Sequence, residues 1–398
     1  KGRKGYTLKQ TAKPDQIIIH SVDHCPACKT SLNTTKVKAC EKRQVFDIPP
    51  ATIQMTEHQT EIKKCPNCQK AVKAMFPSDV SQPAQYGNRI KAVVLYLMNQ
   101  HLLPYKRTAE IIQDLYEVKI SPGTLFNINK VFYAAIEKPV QTIKEQIIAS
   151  KVAHFDESGI RTEKATQWLH TAGTEKWTYY TIHKKRGVKA MDDADILPKF
   201  KGKAVHDHWK PYFKYLCLHC LCNAHHLREL IYLFEEEKQS WAKSMIDLLM
   251  KIKHTVEHCK EIGKNCLDTR QITLFLKKYD LIVDQGFLTN PDRDPKRLRK
   301  KKSKAQNLLY RFKNFRGQIL AFMYDFSVPF DNNLAERDIR MIKVKQNISG
   351  CFRKQHGANM FCRIKSYTSS AKKQEYNIIS SIMAALNDHN IFWAEMAE

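Results

Sequence analysis

No stretch of this 398-residue chain approaches the roughly 18 consecutive apolar residues that a membrane-spanning helix requires. The best candidate, Ile90 to Leu103, is interrupted by Asn99, Gln100 and His101, so no membrane partner is expected. No signal peptide is visible, although the chain opens at Lys1 without a methionine. Acidic residues are in short supply: 40 Asp and Glu stand against 66 Lys and Arg, a net charge of +26. Such a surface concentrates polyanions through long-range attraction and counterion release. Nucleic acid is therefore the expected partner, with an ordinary basic protein of the ribosome-associated kind as the alternative. No internal repeat is visible.

What is present begins with an apolar fraction of 43%, which supports ordinary folded cores. The length suits roughly two to three domains. Twelve cysteines could suggest a secreted disulfide scaffold. Two of their groupings have metal-ligand spacing, however, and the rest are scattered through helical stretches, which fits a reducing cytosol and a cytoplasmic location.

The period of the hydrophobic pattern divides the chain. Residues 1–20 read as a basic arm. Residues 21–80 hold four cysteines and the alternating stretches Gln44–Ile48 and Ala51–Ile62 about a Pro49-Pro50 turn, a small β-rich module. Residues 81–150 are helical: Ile90, Val93, Val94, Leu97 and Met98 recur at three- and four-residue steps, and Ser121-Pro122 is a helix start. The segments on either side of Val118–Pro122 have helix-turn-helix proportions, and two packed bundle helices would give the same pattern. Residues 151–225 switch to short β-prone runs at Val152–Phe155, Gln167–Thr171, Trp177–Ile182 and Ala204–His206, with a helix expected over Val188–Phe200. Residues 226–325 are helical again, with the stripe Trp241, Met245, Leu248, Leu249, Ile252 and Val256, and include a basic loop. Residues 326–398 are helical to the end.

Cys25-x2-Cys28 and Cys65-x2-Cys68 form two knuckles, each with Pro after the first Cys. Two thiolates from each of two tight turns complete a tetrahedral structural Zn²⁺ site, which a small module with little core needs in order to fold. The gap between them exceeds common finger spacing and suits a zinc ribbon with an extended hairpin; Cys40 and His58 are weaker ligand candidates. Cys222-x2-His225 is a lesser signal, for which a helix start without metal is the expected reading.

Three strands, a helix and a fourth strand, with Asp156 at the end of the first and Asp207 just after the fourth, resemble a ribonuclease-H-like core. Two divalent ions about 4 Å apart, held by hard carboxylate oxygens, can activate the attacking oxygen and stabilise the leaving oxygen of a phosphoryl transfer. Glu336 lies on a helix with Asn333, Arg337 and Arg340 on the same side. Any one of these acids could be a solvated surface residue, and Glu157, Asp331 and Asp338 compete for the role. Spacing alone does not select a trio.

A resemblance does. From Tyr6 to about Ile391 the chain resembles transposases of the insertion-sequence-66 family. The resemblance rests on the two cysteine knuckles, on His206-Asp207-His208-Trp209-Lys210-Pro211-Tyr212-Phe213, and on Cys222-Asn223-Ala224-His225-His226-Leu227-Arg228-Glu229-Leu230. It continues through Asp331-Asn332-Asn333-Leu334-Ala335-Glu336-Arg337 to Arg340. It implies a multidomain α/β protein: a ribonuclease-H-like mixed sheet with a helical insertion, preceded by a helical domain and the zinc-ribbon module. It also implies that Asp156, Asp207 and Glu336 are a DDE triad holding Mg²⁺ or Mn²⁺. In that chemistry water cleaves a strand at the transposon end, and the freed 3′ hydroxyl attacks a target phosphodiester. The implied partners are double-stranded DNA, at transposon ends and target, a second copy of the chain on DNA, and accessory transposon proteins. A nuclease that cuts without joining and a catalytically retired zinc-containing DNA-binding protein are the alternatives. The presence of all three acids argues against the second.

Arg337 and Arg340 could hold the DNA backbone or pair with nearby acids, and Lys343 and Lys345 follow on the same segment. Arg293–Lys304 carries eight basic residues, among them Arg297, Arg299, Lys300 and Lys301, and reads as a loop tracking phosphates without reading sequence.

Overall fold

A computed structural model describes residues 7–291, 302–389 and 391. Arg297, Arg299, Lys300 and Lys301 lie outside the described residues. Two compact units are distinguished, Lys1–Glu57 and His58–Glu398.

The first unit has little regular structure. An isolated antiparallel bridge joins His24 to Ser31 beside the first cysteine knuckle. Thr11 and Gln44 exchange two hydrogen bonds of 2.8 Å, and Gln10 donates to the Lys42 carbonyl, so part of the expected arm lies along residues 42–44. The strands expected over Gln44–Ile48 and Ala51–Ile62 do not form, apart from Ile62 itself. Alternation makes a strand only where one face finds apolar cover, and Val45, Ile48 and Met55 are all exposed.

The second unit opens with a hairpin, β1 (Ile62–Lys64) and β2 (Ala71–Lys73), around the second knuckle. Helix α1 (Asn88–Leu95) runs on into a π-helical turn, Tyr96–Gln100, and is followed by α2 (Tyr105–Tyr116), α3 (Pro122–Ala135) and α4 (Glu137–Ala149). Ser121 caps α3 through the Thr124 amide at 3.1 Å, with Pro122 in the first turn. The inner face of α3, Leu125, Ile128 and Phe132, is buried in a cluster that also takes in Ile143, Phe155, Phe200 and Tyr367. The helices before the sheet and the sheet itself thus share one core.

That sheet contains β3 (Val152–Thr162), β4 (Ala165–Gly173), β5 (Thr178–His183), β6 (Lys203–His206) and β7 (Leu218–Leu221), in the order β5-β4-β3-β6-β7. The β5-β4 and β4-β3 pairs are antiparallel; β3-β6 and β6-β7 are parallel. Each strand expected within residues 151–225 is found, and three are longer than expected. β3 runs well past Phe155, so Asp156 sits within a strand rather than at its end. The hairpin that allows this turns at Glu163 and Lys164, both at positive φ (52° and 64°) without a glycine to signal it. The helix expected over Val188–Phe200 stops at Ala194 as α5 (Val188–Ala194), because Asp195 turns left-handed at φ 54°. β7 lies outside the expected strands, because four residues bracketed by cysteines carry too little pattern.

The chain then leaves the sheet as α6 (Asn223–Glu235), α7 (Ser240–Glu261), α8 (Thr269–Thr289), α9 (Lys304–Asn314), α10 (Arg316–Ile319) and α11 (Ala321–Tyr324). The stripe on α7 is buried as its spacing requires, against Phe275, Tyr279, Leu309 and Phe312. Helices α12 (Asn333–Ser349), α13 (Gln355–Lys373) and α14 (Ile378–Leu386) return to the sheet. There Ser370 and Ser366 on α13 accept the Thr178 and Tyr180 amides at 2.9 Å, satisfying backbone donors of edge strand β5 that would otherwise be unpaired.

Two features of this sheet generate expectations. At the entry to β6 a Cβ on Gly202 would stand 2.5 Å from the Ser150 carbonyl oxygen and 2.7 Å from that of Lys151. Backbone cannot yield as a flexible side chain does, so Gly202→Ala is expected to destabilise by about 1–3 kcal/mol, read as a lower Tm. On β4, burial pushes the His170 imidazole down from 6.5 to about 4. Between those values the unfolded chain binds a proton that the folded chain refuses. This contribution is therefore intact above pH 6.5 and is lost as pH falls towards 4. Comparing Tm against pH for the native chain and His170→Gln should show a shallower acid decline in the variant; parallel curves would contradict the assignment.

Candidate active site

The site is assembled by strand register. In the parallel pair β3-β6, Val152, Ala153 and His154 lie opposite Lys203, Ala204 and Val205. Continued by two residues, that register sets Asp156 beside Asp207, on neighbouring strands spaced about 4.8 Å apart. Asp207 has just left β6, and its Oδ1 accepts the Trp209 amide at 2.9 Å, which fixes the turn. Asp156 Oδ1 accepts the amide of Glu157 at 2.9 Å.

The third acid arrives from far along the chain, and one buried residue determines where. The Asn332 side chain donates to the carbonyl of Phe155, immediately before Asp156, at 2.8 Å, while its Oδ1 meets His154 Nδ1 at 2.8 Å. Its backbone amide donates to Cys222 Sγ at 3.1 Å. Asn332 is the N-cap of α12, so Glu336 follows within the first helical turn. These bonds tie the start of that helix to β3 beside Asp156. Neither Asn332 nor His154 stands out in the sequence; the local signal is a polar pair, Asn332-Asn333, ahead of an amphipathic helix.

The electrostatics reflect the crowding. The Asp156 carboxyl is raised to about 7, first by burial and then by the charge of Glu157, with smaller contributions from Asp207 and Glu336; the Glu157 amide opposes the rise. Glu336 Oε1 is shielded from solvent and has no hydrogen-bond partner. His225 Nδ1 and the Arg228 guanidinium each lie 3.7 Å away, too far for a hydrogen bond. Cys222 Sγ, a ring nitrogen of His225 and a Glu336 oxygen all lie within 4.8 Å of one another.

The three competing acids are occupied elsewhere. Glu157 points to the other face of β3, where Arg186 binds it at 2.9 Å and the Tyr212 hydroxyl donates to it. Arg186 is itself sandwiched between the Trp168 and Trp209 rings, at 4.8 and 4.1 Å. Asp338 pairs with Lys373 at 2.7 Å and accepts the Thr178 hydroxyl. Asp331 caps the Asn333 amide at 3.0 Å.

Among the candidate DNA-contacting residues of α12, Arg337 and Arg340 are exposed. Lys343 is turned inward, donating to the Gly159 carbonyl. Lys345 reaches the Leu102 carbonyl and the Ser349 hydroxyl at 3.4 and 3.1 Å, and burial lowers its ammonium to about 8.

The two cysteine knuckles, each taken by itself, have the same turn. Cys25 N–H bonds the Thr30 carbonyl and Lys29 N–H the Cys25 carbonyl, both at 2.9 Å, with Lys29 at φ 61°. Cys65, Lys70 and Gln69 repeat the pattern at the same distances, with Gln69 at φ 58°. The Thr30 hydroxyl and amide pull the Cys28 thiol down to about 7, and the Cys68 and Asn67 amides lower that of Cys65. Such N–H···S geometry favours the thiolate that a metal needs.

Asn332→Ala tests the clamp. Removing the amide strands His154 Nδ1 and the Phe155 carbonyl in a buried setting, at about 2–4 kcal/mol. Chemical denaturation should report that loss, and a variant of unchanged stability would show that the clamp does not hold α12.

Among curated proteins no relative matches the chain. A family model described as the transposase IS66 family matches residues 83–360, which span the sheet, the helical excursion and α12. A second, described as the zinc-finger binding domain of transposase IS66, matches residues 23–69 and encloses all four knuckle cysteines. The first match covers well over half of the chain, and the protein therefore belongs to the IS66 transposase family.

Proposed function

We propose that this chain is a DDE transposase in which Asp156, Asp207 and Glu336 jointly bind divalent metal and perform DNA strand cleavage and strand transfer. The observation that carries the reading is the convergence just described. Strand register sets Asp156 beside Asp207, and the Asn332 clamp ties the start of the Glu336 helix to the strand that carries Asp156; Asp207 and Glu336 add small contributions to a rise in the Asp156 pKa led by burial and Glu157. A ribonuclease-H-like core is supported by the order β5-β4-β3-β6-β7, with three antiparallel strands followed by parallel ones.

The donor set suits Mg²⁺ or Mn²⁺: hard carboxylate oxygens whose mutual repulsion a divalent ion relieves. When bound, such ions supply Lewis-acid activation of the attacking oxygen and stabilisation of the leaving one. The chain's own contribution is positioning. Asp156 and Asp207 are held by backbone amides and Glu336 by its helix, as an in-line displacement at phosphorus would require. In the first step water attacks phosphorus and frees a 3′ hydroxyl on the transposon end. In the second that hydroxyl attacks a target phosphodiester and displaces its 3′ oxygen. The exposed Arg337 and Arg340, one and four residues beyond Glu336, suit contact with DNA phosphates.

Cys25, Cys28, Cys65 and Cys68 are proposed as ligands for structural Zn²⁺. Support comes from the repeated knuckle geometry and from the zinc-finger match that spans all four.

The test is magnesium-dependent cleavage of the DNA flanking the gene, where inverted repeats would mark the substrate. Native protein should nick at the element ends and yield joined products. Asp207→Ala should lose on the order of 10³-fold or more in rate. Full cleavage by that variant would refute the catalytic assignment, and cleavage without joining would identify a nuclease.

A further inference from the structure

Cys222, at the N-cap of α6, and His225, in its first turn, face Glu336 on α12. A thiol sulfur, an imidazole nitrogen and a carboxylate oxygen fall within 4.8 Å of one another. Three donors around one ion, at about 2.0–2.3 Å each, must stand roughly that close together. Two of the atoms are unexplained as they stand: His225 Nδ1 and Glu336 Oε1 are both shielded from solvent, 3.7 Å apart, and neither has a hydrogen-bond partner. Buried polar atoms without partners are uncommon and costly, and an ion between them would satisfy both. The sulfur is already placed, since the Asn332 amide donates to it at 3.1 Å. Arg228 also lies 3.7 Å from Glu336; its side chain is 61% exposed and free to swing outward when a cation takes its place.

We propose that Cys222, His225 and Glu336 form a metal site of their own, selective for Zn²⁺ or a similar borderline ion, with solvent as the fourth ligand. A sulfur–nitrogen–oxygen set disfavours Mg²⁺, which demands oxygen ligands. Binding displaces the Cys222 thiol proton to solvent and ties the first turn of α6 to that of α12. The site stands on this geometry alone. Its consequence rests on the catalytic role proposed above for Glu336: zinc draws the third acid into a second ligand set, so that zinc restrains magnesium-dependent cleavage.

The test uses the full chain, stripped of metal and titrated with Co²⁺ in the presence of a large excess of Mg²⁺. Native protein should bind about one equivalent more than Cys222→Ser or His225→Asn. The difference spectrum should show thiolate-to-cobalt charge transfer from a single sulfur. The difference carries the result, whatever the four knuckle cysteines bind. Glu336→Gln should weaken the same band, and Asp207→Asn should keep it. Should Cys222→Ser lose its far-ultraviolet dichroism, His225→Asn and Glu336→Gln decide. Identical stoichiometry and spectra in native protein and His225→Asn would overturn the site, and an undiminished band in Glu336→Gln would overturn the shared carboxylate. An inactive protein that keeps the band refutes the catalytic reading while leaving the site intact, and an active protein without the band does the reverse.

Discussion

The buried side chain of Asn332 is the contact on which the arrangement of the site depends. An amide with both a donor and an acceptor end, almost fully removed from solvent, must find partners for each. Here the partners are the Phe155 carbonyl and the His154 ring on β3, and the adjoining backbone amide engages Cys222 at the start of α6. Three segments of distant sequence are thereby pinned at one point. Glu336 lies one helical turn, about 5.4 Å, beyond it, so its position relative to Asp156 follows from this hydrogen bonding.

A second constraint is electrostatic. The chain is strongly basic, yet it gathers acids at one end of its central sheet. Glu157 and Asp338 are neutralised within the fold by Arg186 and Lys373, whereas Asp156 is driven up to about 7 by burial and by its acidic neighbours. The division separates acids paired within the fold from one crowded chiefly by burial and by Glu157. Clustering carboxylates in this way costs stability, a common signature of functional sites.

The helical excursion between β7 and α12 packs its apolar core onto Val205, Cys220 and Leu221 of the sheet and returns the chain within reach of Cys222. The Asn223 amide bonds the Phe330 carbonyl at 3.1 Å, so the excursion leaves and re-enters at adjacent points.

The amphipathic stripe of α7, the Ser121 cap, the knuckle cysteines and the approximate places of four strands could all be read locally, because each depends on periodicity or on chemistry within a few residues. The acidic trio was legible only through family resemblance: an isolated Asp carries no mark of its partners, and Glu157, Asp331 and Asp338 look the same in sequence. Tertiary structure alone decided that β3 continues through Asp156 to a turn at Glu163-Lys164, since a left-handed turn without glycine leaves no local trace. It alone decided that Val45, Ile48 and Met55 alternate without forming a strand, since a strand needs a covering surface that only the folded chain supplies. The meeting of Cys222, His225 and Glu336, and the Asn332 clamp beneath it, belong to the same class. Hydrogen bonds between residues more than a hundred positions apart are set by how helices and sheet pack, and no local pattern encodes them.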